Sequence, residues 1–134
     1  MAEEAVVKEP LTPEMVAAGK ELVRRLNERH FEVVSALWLY SAEANRWLLV
    51  LASPAVEAEG PKRAYARVLA VLSENQTEAS GLTFENIKLL APSDSLIRLL
   101  RVAVRTGKNI SGIRFTRNHI NDTFIKDAYI YRVA

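Results

Sequence analysis

The sequence predicts an α+β fold in which three helices pack on one face of a mainly antiparallel sheet of about five strands. Two segments, 31–53 and 112–134, each carry two apolar stretches around a short polar bridge, which is typical of a β-hairpin. Three other segments repeat apolar residues at helical spacing behind a capping residue. The predicted order is α-β-β-α-β-α-β-β, and 134 residues suit one domain.

The first hairpin carries apolar residues on both faces of its first strand. Its predicted strands are 31–40 and 46–53, joined by residues 41–45. Alternation places Phe31, Val33, Leu37 and Leu39 on one face and Val34, Ala36, Trp38 and Tyr40 on the other. A strand with one solvent-exposed face would alternate apolar with polar residues. This strand is apolar on both faces, so both are expected to be covered. Helices can cover one face, and the other needs more helix, a partner chain or a ligand. We predict a homodimer that buries it.

Three aromatic residues, Trp38, Tyr40 and Trp47, lie close to the predicted turn of this hairpin. We expect them to form a cross-strand cluster in the core. The alternative is an exposed aromatic patch that binds a partner.

The helices are identified by their ends. Thr12 is the predicted N-cap of the first helix, so residues 1–11 form a flexible tail and 12–134 the folded domain. The second helix spans about 61–75, and the strand that follows lies around 83–90. The third helix begins after Ser93 or Asp94 and ends before Gly107, a residue type favoured just past a helix end.

In the first strand of the second hairpin, Ile113 and Phe115 alternate with Arg114 and Thr116. In its second strand, Tyr129 and Tyr131 alternate with Ile130 and Arg132. Its turn is predicted near Asn118–Asp122, because Asn and Asp tolerate the left-handed backbone of tight turns. The pair Lys126–Asp127 interrupts the alternation, which indicates a β-bulge.

Composition restricts the chemistry. The chain has no cysteine, which excludes disulfides, thiolate metal sites and cysteine catalysis and fits a cytoplasmic location. Its first ten residues are acidic and lack the apolar stretch of a secretory signal. No run approaches the ~20 apolar residues of a membrane span, so no membrane contact is expected.

Charge is distributed unevenly along the chain. Residues 1–97 carry ten Lys or Arg against fourteen Asp or Glu, a net charge of −4. Residues 98–134 carry eight against two, a net charge of +6. This basic third predicts a nucleic acid or an acidic protein as partner. Alternatively, the acidic two-thirds neutralise it within the fold.

The candidate binding residues all lie in this basic third. Arg98, Arg101 and Arg105 fall within about 60° of one another around the third helix and form an arginine ridge. The full candidate set is Arg98, Arg101, Arg105, Lys108, Arg114 and Arg117.

Known phosphate and metal motifs are absent from the sequence. The triplet 106–108 lacks the glycine that a phosphate-binding loop needs five positions before Gly107. Glu57 and Glu59 alternate in a predicted loop and are expected to be solvated, and no cofactor or metal site is predicted. His30 lies at a helix-to-strand junction, where a histidine usually interacts with the helix C-terminus.

His119 is the one candidate catalytic residue. In the predicted turn it lies beside Asn118 and Asp122, with Arg117 and Arg114 as candidate anion clamps. A neutral histidine near a carboxylate and a cation could catalyse cleavage of a phosphodiester by general acid–base catalysis. Turns also attract such residues for backbone reasons.

We therefore interpret the chain as a non-enzymatic interaction module. It is expected to self-associate and to bind an acidic partner or nucleic acid through its basic third. The alternative is a small metal-independent phosphodiesterase that uses His119.

Overall fold

A computed structural model of the chain describes residues 10–75, 81–104, 112–120 and 123–134. Its helices and strands are α1 (Pro13–Glu28), β1 (Ser35–Ser41), β2 (Arg46–Ala52), α2 (Ala55–Glu59), α3 (Pro61–Asn75), β3 (Ile87–Leu90), α4 (Ser95–Ala103), β4 (Ile113–Ile120) and β5 (Thr123–Val133). The predicted order is confirmed, with the short helix α2 added between β2 and α3.

The five strands form one sheet in the order β3-β2-β1-β5-β4. The pairs β1–β2, β1–β5 and β4–β5 are antiparallel, whereas β2 and β3 run parallel. The parallel pair follows from α3, because parallel neighbours need a long crossover and a helix supplies it. The sheet is thus mixed but mainly antiparallel, and the predicted α+β class is confirmed.

Helices α1 and α3 cover one side of the sheet, called here the first face. Their apolar stripes pack on alternate residues of β1, β2 and β3 together with Tyr131 of β5. Trp38, Tyr40 and Trp47 are all buried in this core. The rings of Tyr40 and Trp47 meet edge-to-face with their centroids 5.6 Å apart. The aromatic cluster of the first hairpin is therefore core, as expected.

Helix α4 packs on the opposite side, the second face, so the expectation that all helices share one face is wrong. Its residues Ile97 and Leu100 are buried against Leu37, Val50 and Ile130 of the sheet. The reason is topological. The strands β3 and β4 lie at opposite edges, and the chain between them crosses the apolar second face.

The first hairpin strand begins later than predicted, at Ser35. His30 adopts a left-handed φ of 64° and ends α1, while the amide of Phe31 donates to the carbonyl of Leu26 at 2.9 Å. This is the Schellman arrangement of a helix C-terminus, which brings two apolar residues together. As a result Phe31 and Val33 belong to the first-face core, opposite to the side that simple alternation predicts.

Three other boundaries differ from the prediction. The predicted loop before α3 contains α2, and residues 84–86 form a 3₁₀ turn, so that β3 begins only at Ile87. A reciprocal pair of hydrogen bonds between Thr83 and Asn86 holds this turn. Helix α4 ends at Ala103, while Gly107, its predicted C-terminal stop, lies outside the described residues. So do residues 1–9 of the predicted tail.

Candidate binding cleft between α1 and β4

An open cleft of about 490 Å³ lies where the first half of α1 crosses the ends of β4 and β5. This α1–β4 cleft is lined by Leu11, Pro13, Val16, Ala17, Lys20, Gly112, Arg114, Tyr129 and Tyr131. One wall is a face of α1 whose residues are three or four positions apart, namely Pro13, Val16, Ala17 and Lys20, and it is mostly apolar. The other wall, from the second hairpin, is aromatic and basic.

A guanidinium held by a buried carboxylate is the main polar feature of the cleft. The Nε and Nη2 atoms of Arg114 donate to the two carboxylate oxygens of Asp127 at 2.6 and 2.7 Å. Asp127 is 1% exposed, whereas the side chain of Arg114 is 49% exposed. These hydrogen bonds raise the pKa of Arg114, so it stays charged. Its guanidinium also lies 5.6 Å from the ring centroid of Trp47.

Regular alternation in β5 places Asp127 on the first face beside Tyr129, because Ala128 and Ile130 lie in the second-face core. The pairs Thr116–Asp127 and Asn118–Ile125 keep the same register, although Arg117 between them has a left-handed φ of 46°. Ile125 and Ala128 both join the second-face core, so the two residues between them lose the normal alternation. The alternation is therefore interrupted near Lys126–Asp127, but the β4–β5 register contains no extra residue, so the β-bulge predicted there is wrong.

The floor of the cleft is a buried tyrosine bonded to α1. Trp38 Nε1 donates to the Tyr131 hydroxyl at 2.9 Å, and that hydroxyl donates to the carbonyl of Val16. Burial raises the pKa of Tyr131, so the phenol stays neutral and can make both bonds. The β1–β5 register shifts by one residue at this point, opposite Ala36 and Leu37. Sequence alternation contains no signal for that shift.

Tyr129 forms the rim above this floor. Its ring meets that of Tyr131 edge-to-face, with centroids 5.4 Å apart. Its hydroxyl lies so close to Gly112 that a Cβ atom there would overlap it. Lys20 of α1 lines the same opening and is exposed. The cleft therefore presents two cations and a phenol beside an apolar wall, which suits an anionic group attached to an apolar one.

The sheet separates the predicted binding residues. Arg98 on α4 is exposed, while Arg101 donates to the backbone carbonyls of Ala134 and Pro92 at 2.9 and 3.3 Å. Both belong to the helix of the second face, whereas Arg114 contacts Trp47 of the first-face core. Two further predicted residues, Arg105 and Lys108, lie outside the described residues.

His119 lies in strand β4 and not in the turn, which begins after Ile120. It is exposed, pairs across the hairpin with Phe124, and places its ring centroid 4.9 Å from that ring. Arg117 is also exposed on β4. The predicted carboxylate neighbour Asp122 lies outside the described residues.

The two glutamates considered as metal ligands are part of α2. Glu59 pairs with Arg67 of α3, and Glu57 is exposed. Over the described ranges no three His, Cys, Asp or Glu side chains come together as a metal site would require. In the same residues, no helix has the length and apolarity needed to cross a membrane.

Comparison with protein-family models, with curated protein sequences and with solved structures finds no match to this chain.

Proposed function

We propose that this chain is a non-enzymatic interaction module that binds an acidic protein segment in the α1–β4 cleft and associates with a second copy of itself. The observation that carries the first part is the pair of Arg114 with buried Asp127. The pair uses two of the five N–H bonds of the guanidinium and leaves three for a ligand. A carboxylate held in this way keeps Arg114 oriented before the ligand arrives, which lowers the entropic cost of binding.

An acidic protein fits the described cations better than nucleic acid does. Nucleic-acid affinity depends on many phosphate contacts along a continuous basic surface. Here Arg101 is hydrogen-bonded to backbone carbonyls, and Arg98 lies on α4, on the opposite side of the sheet from Arg114. A single oriented guanidinium with Lys20 nearby instead suits one or two carboxylates.

The test is fluorescence anisotropy with two labelled probes, the peptide Val-Glu-Val-Glu-Val and a single-stranded DNA oligonucleotide of five nucleotides. We expect the peptide to bind more tightly. Lys20→Glu should weaken peptide binding about tenfold or more, which corresponds to about 1.4 kcal/mol. Arg98→Glu makes the same change of charge away from the cleft and serves as the matched control. Equal effects of the two variants would contradict the cleft as the site.

Self-association is supported by the second face of the sheet. In the described residues one helix of nine residues, α4, packs on this face, whereas helices of 16 and 15 residues cover the first. Leu39 and Leu48 pair across β1 and β2 on the second face and both are partly exposed.

The measurement is light scattering at tens of micromolar. We expect the mass of a dimer, and we expect Leu48→Lys to shift it toward a monomer, because a charge would have to be buried at the interface. A monomer mass for the unaltered chain would remove this part of the proposal.

A further inference from the structure

We propose that the acidic segment binds as an added β-strand along the outer edge of β4, with one of its carboxylates beside Arg114. This inference rests on the proposed function and specifies how the partner is recognised. It predicts a partner segment in which acidic and apolar residues alternate.

The edge of the sheet at β4 provides the backbone groups. β4 is the last strand in the order, and among the described strands it pairs with β5. An edge strand presents unpaired N–H and C=O groups on its outer side, and an extended segment can pair with them. The stretch Ile113–Thr116 pairs residue by residue with β5, and Arg117, which follows it, has a left-handed φ. This short stretch starts beside Gly112, at the opening of the cleft.

The side chains of this stretch favour an alternating partner. Ile113 and Phe115 pack with the second-face core, while Arg114 contacts Trp47 on the first face. Directly opposite residues on neighbouring strands lie about 4.5–5.5 Å apart at Cβ, so an added strand pairs with these side chains one by one. Acidic residues would face Arg114 and Lys20, and apolar residues would extend the stripe of Ile113 and Phe115.

Charge argues against a second copy at this edge. Two β4 strands placed side by side would bring Arg114 and Arg117 of one copy next to those of the other. Like charges opposite each other on neighbouring strands are destabilising, whereas opposite charges stabilise. Basic residues on an edge strand are also a common protection against pairing with identical edges. The occupant that this edge accepts is therefore acidic.

Among the described residues, the carboxylates nearest to this edge leave the outer side of Arg114 available. Asp127 binds the guanidinium from β5, the strand on the inner side of β4. On α1, Glu21 accepts hydrogen bonds from Arg24 and Arg25, which lower its pKa. A ligand carboxylate therefore approaches Arg114 from the outer side, where the three remaining N–H bonds can serve it.

The experiment compares four labelled peptides with the full chain by fluorescence anisotropy. The first is Val-Glu-Val-Glu-Val, and the second, Glu-Glu-Val-Val-Val, has the same composition without alternation. The other two carry the first sequence with backbone N-methyl groups, either on the valines or on the glutamates. Successive residues of a strand direct their N–H groups to opposite sides, so only one methylation pattern blocks pairing with β4.

We expect the alternating peptide to bind at least tenfold more tightly than the non-alternating one. One methylated peptide should lose about tenfold or more in affinity, and the other should stay within about threefold of the parent. Equal binding of both methylated peptides and the parent would overturn strand addition and leave the cleft proposal standing. No binding of the parent peptide, or tighter binding of the oligonucleotide, would overturn both.

Discussion

The hydroxyl of Tyr131 lies against the backbone of α1 at Gly19, where a Cβ atom would be 2.5 Å from the phenol oxygen and 2.9 Å from Trp38 Nε1. This contact joins the C-terminal strand to the first helix and sets the floor of the α1–β4 cleft. The absence of a side chain at Gly19 is what allows the two elements to approach so closely.

We expect Gly19→Ala to lower the free energy of unfolding by about 1–3 kcal/mol, the usual cost of overpacking a buried site. The direction is informative, because in an unconstrained helix alanine is better than glycine by about 0.5–1 kcal/mol. Urea unfolding followed by tryptophan fluorescence measures it. In a Tyr131→Phe background the nearest obstructing atom is gone, so the cost of Gly19→Ala should be smaller. A stabilising effect in the unaltered chain would contradict the contact.

The arginines of α4 should differ in their effect on folding. Arg98 is exposed, so Arg98→Glu should change stability by about 0.5 kcal/mol or less. Arg101 holds the carbonyls of Pro92 and Ala134, so Arg101→Glu should lower the free energy of unfolding by about 1 kcal/mol. Urea titration of both variants under identical conditions is the measurement. Indistinguishable midpoints would mean that the Arg101 hydrogen bonds contribute nothing to stability.

Peptide binding should depend on pH with a definite sign. Asp127 raises the pKa of Arg114, so this cation stays charged throughout the range of pH 4 to 9. The glutamates of the probe are ionised only above about pH 4.3. Affinity should therefore be constant between about pH 6 and 9 and fall as the pH passes below the glutamate pKa. Circular dichroism at each pH controls for unfolding.

Binding of an oligonucleotide should not show this dependence on pH. Phosphodiesters remain ionised near pH 4, so binding to a phosphate backbone would persist where peptide binding weakens. A peptide affinity that does not fall at all between pH 6 and pH 4 in the folded protein would show that carboxylate charge does not drive recognition.

His119 provides a separate test of the phosphodiesterase hypothesis. General acid–base catalysis predicts cleavage of a phosphodiester in the presence of chelator. His119→Ala would then reduce the rate roughly a hundredfold or more. We expect no cleavage of bis(4-nitrophenyl) phosphate above background, because the described contact of His119 is the ring of Phe124. Cleavage that disappears in His119→Ala would establish the enzyme.

Local pattern was sufficient for most of the elements. Thr12 caps α1 by accepting a hydrogen bond from the amide of Met15, and Asp94 caps α4 in the same way. The hairpin β1–β2 followed from apolar alternation around a polar bridge. These features depend on interactions within a few residues, which composition and spacing express directly.

The candidate site could be predicted only in part. Arg114 was identified from the charge of its segment, but its partner Asp127 lies 13 residues away, on the neighbouring strand β5. Lys20 joins them from α1, at the other end of the chain. Neither the pairing nor the approach of α1 leaves a periodic signal in the sequence.

By itself, the sequence determined the order of the helices and strands, the two hairpins and the apolar character of both sheet faces. Tertiary structure decided that β3 pairs parallel with β2, that α4 crosses the second face, and that the basic third is divided between two sides of the sheet. The physical reason is the range of the interactions. Helix and strand formation depend on neighbours along the chain, whereas strand order and the face that a crossover takes depend on contacts between distant segments.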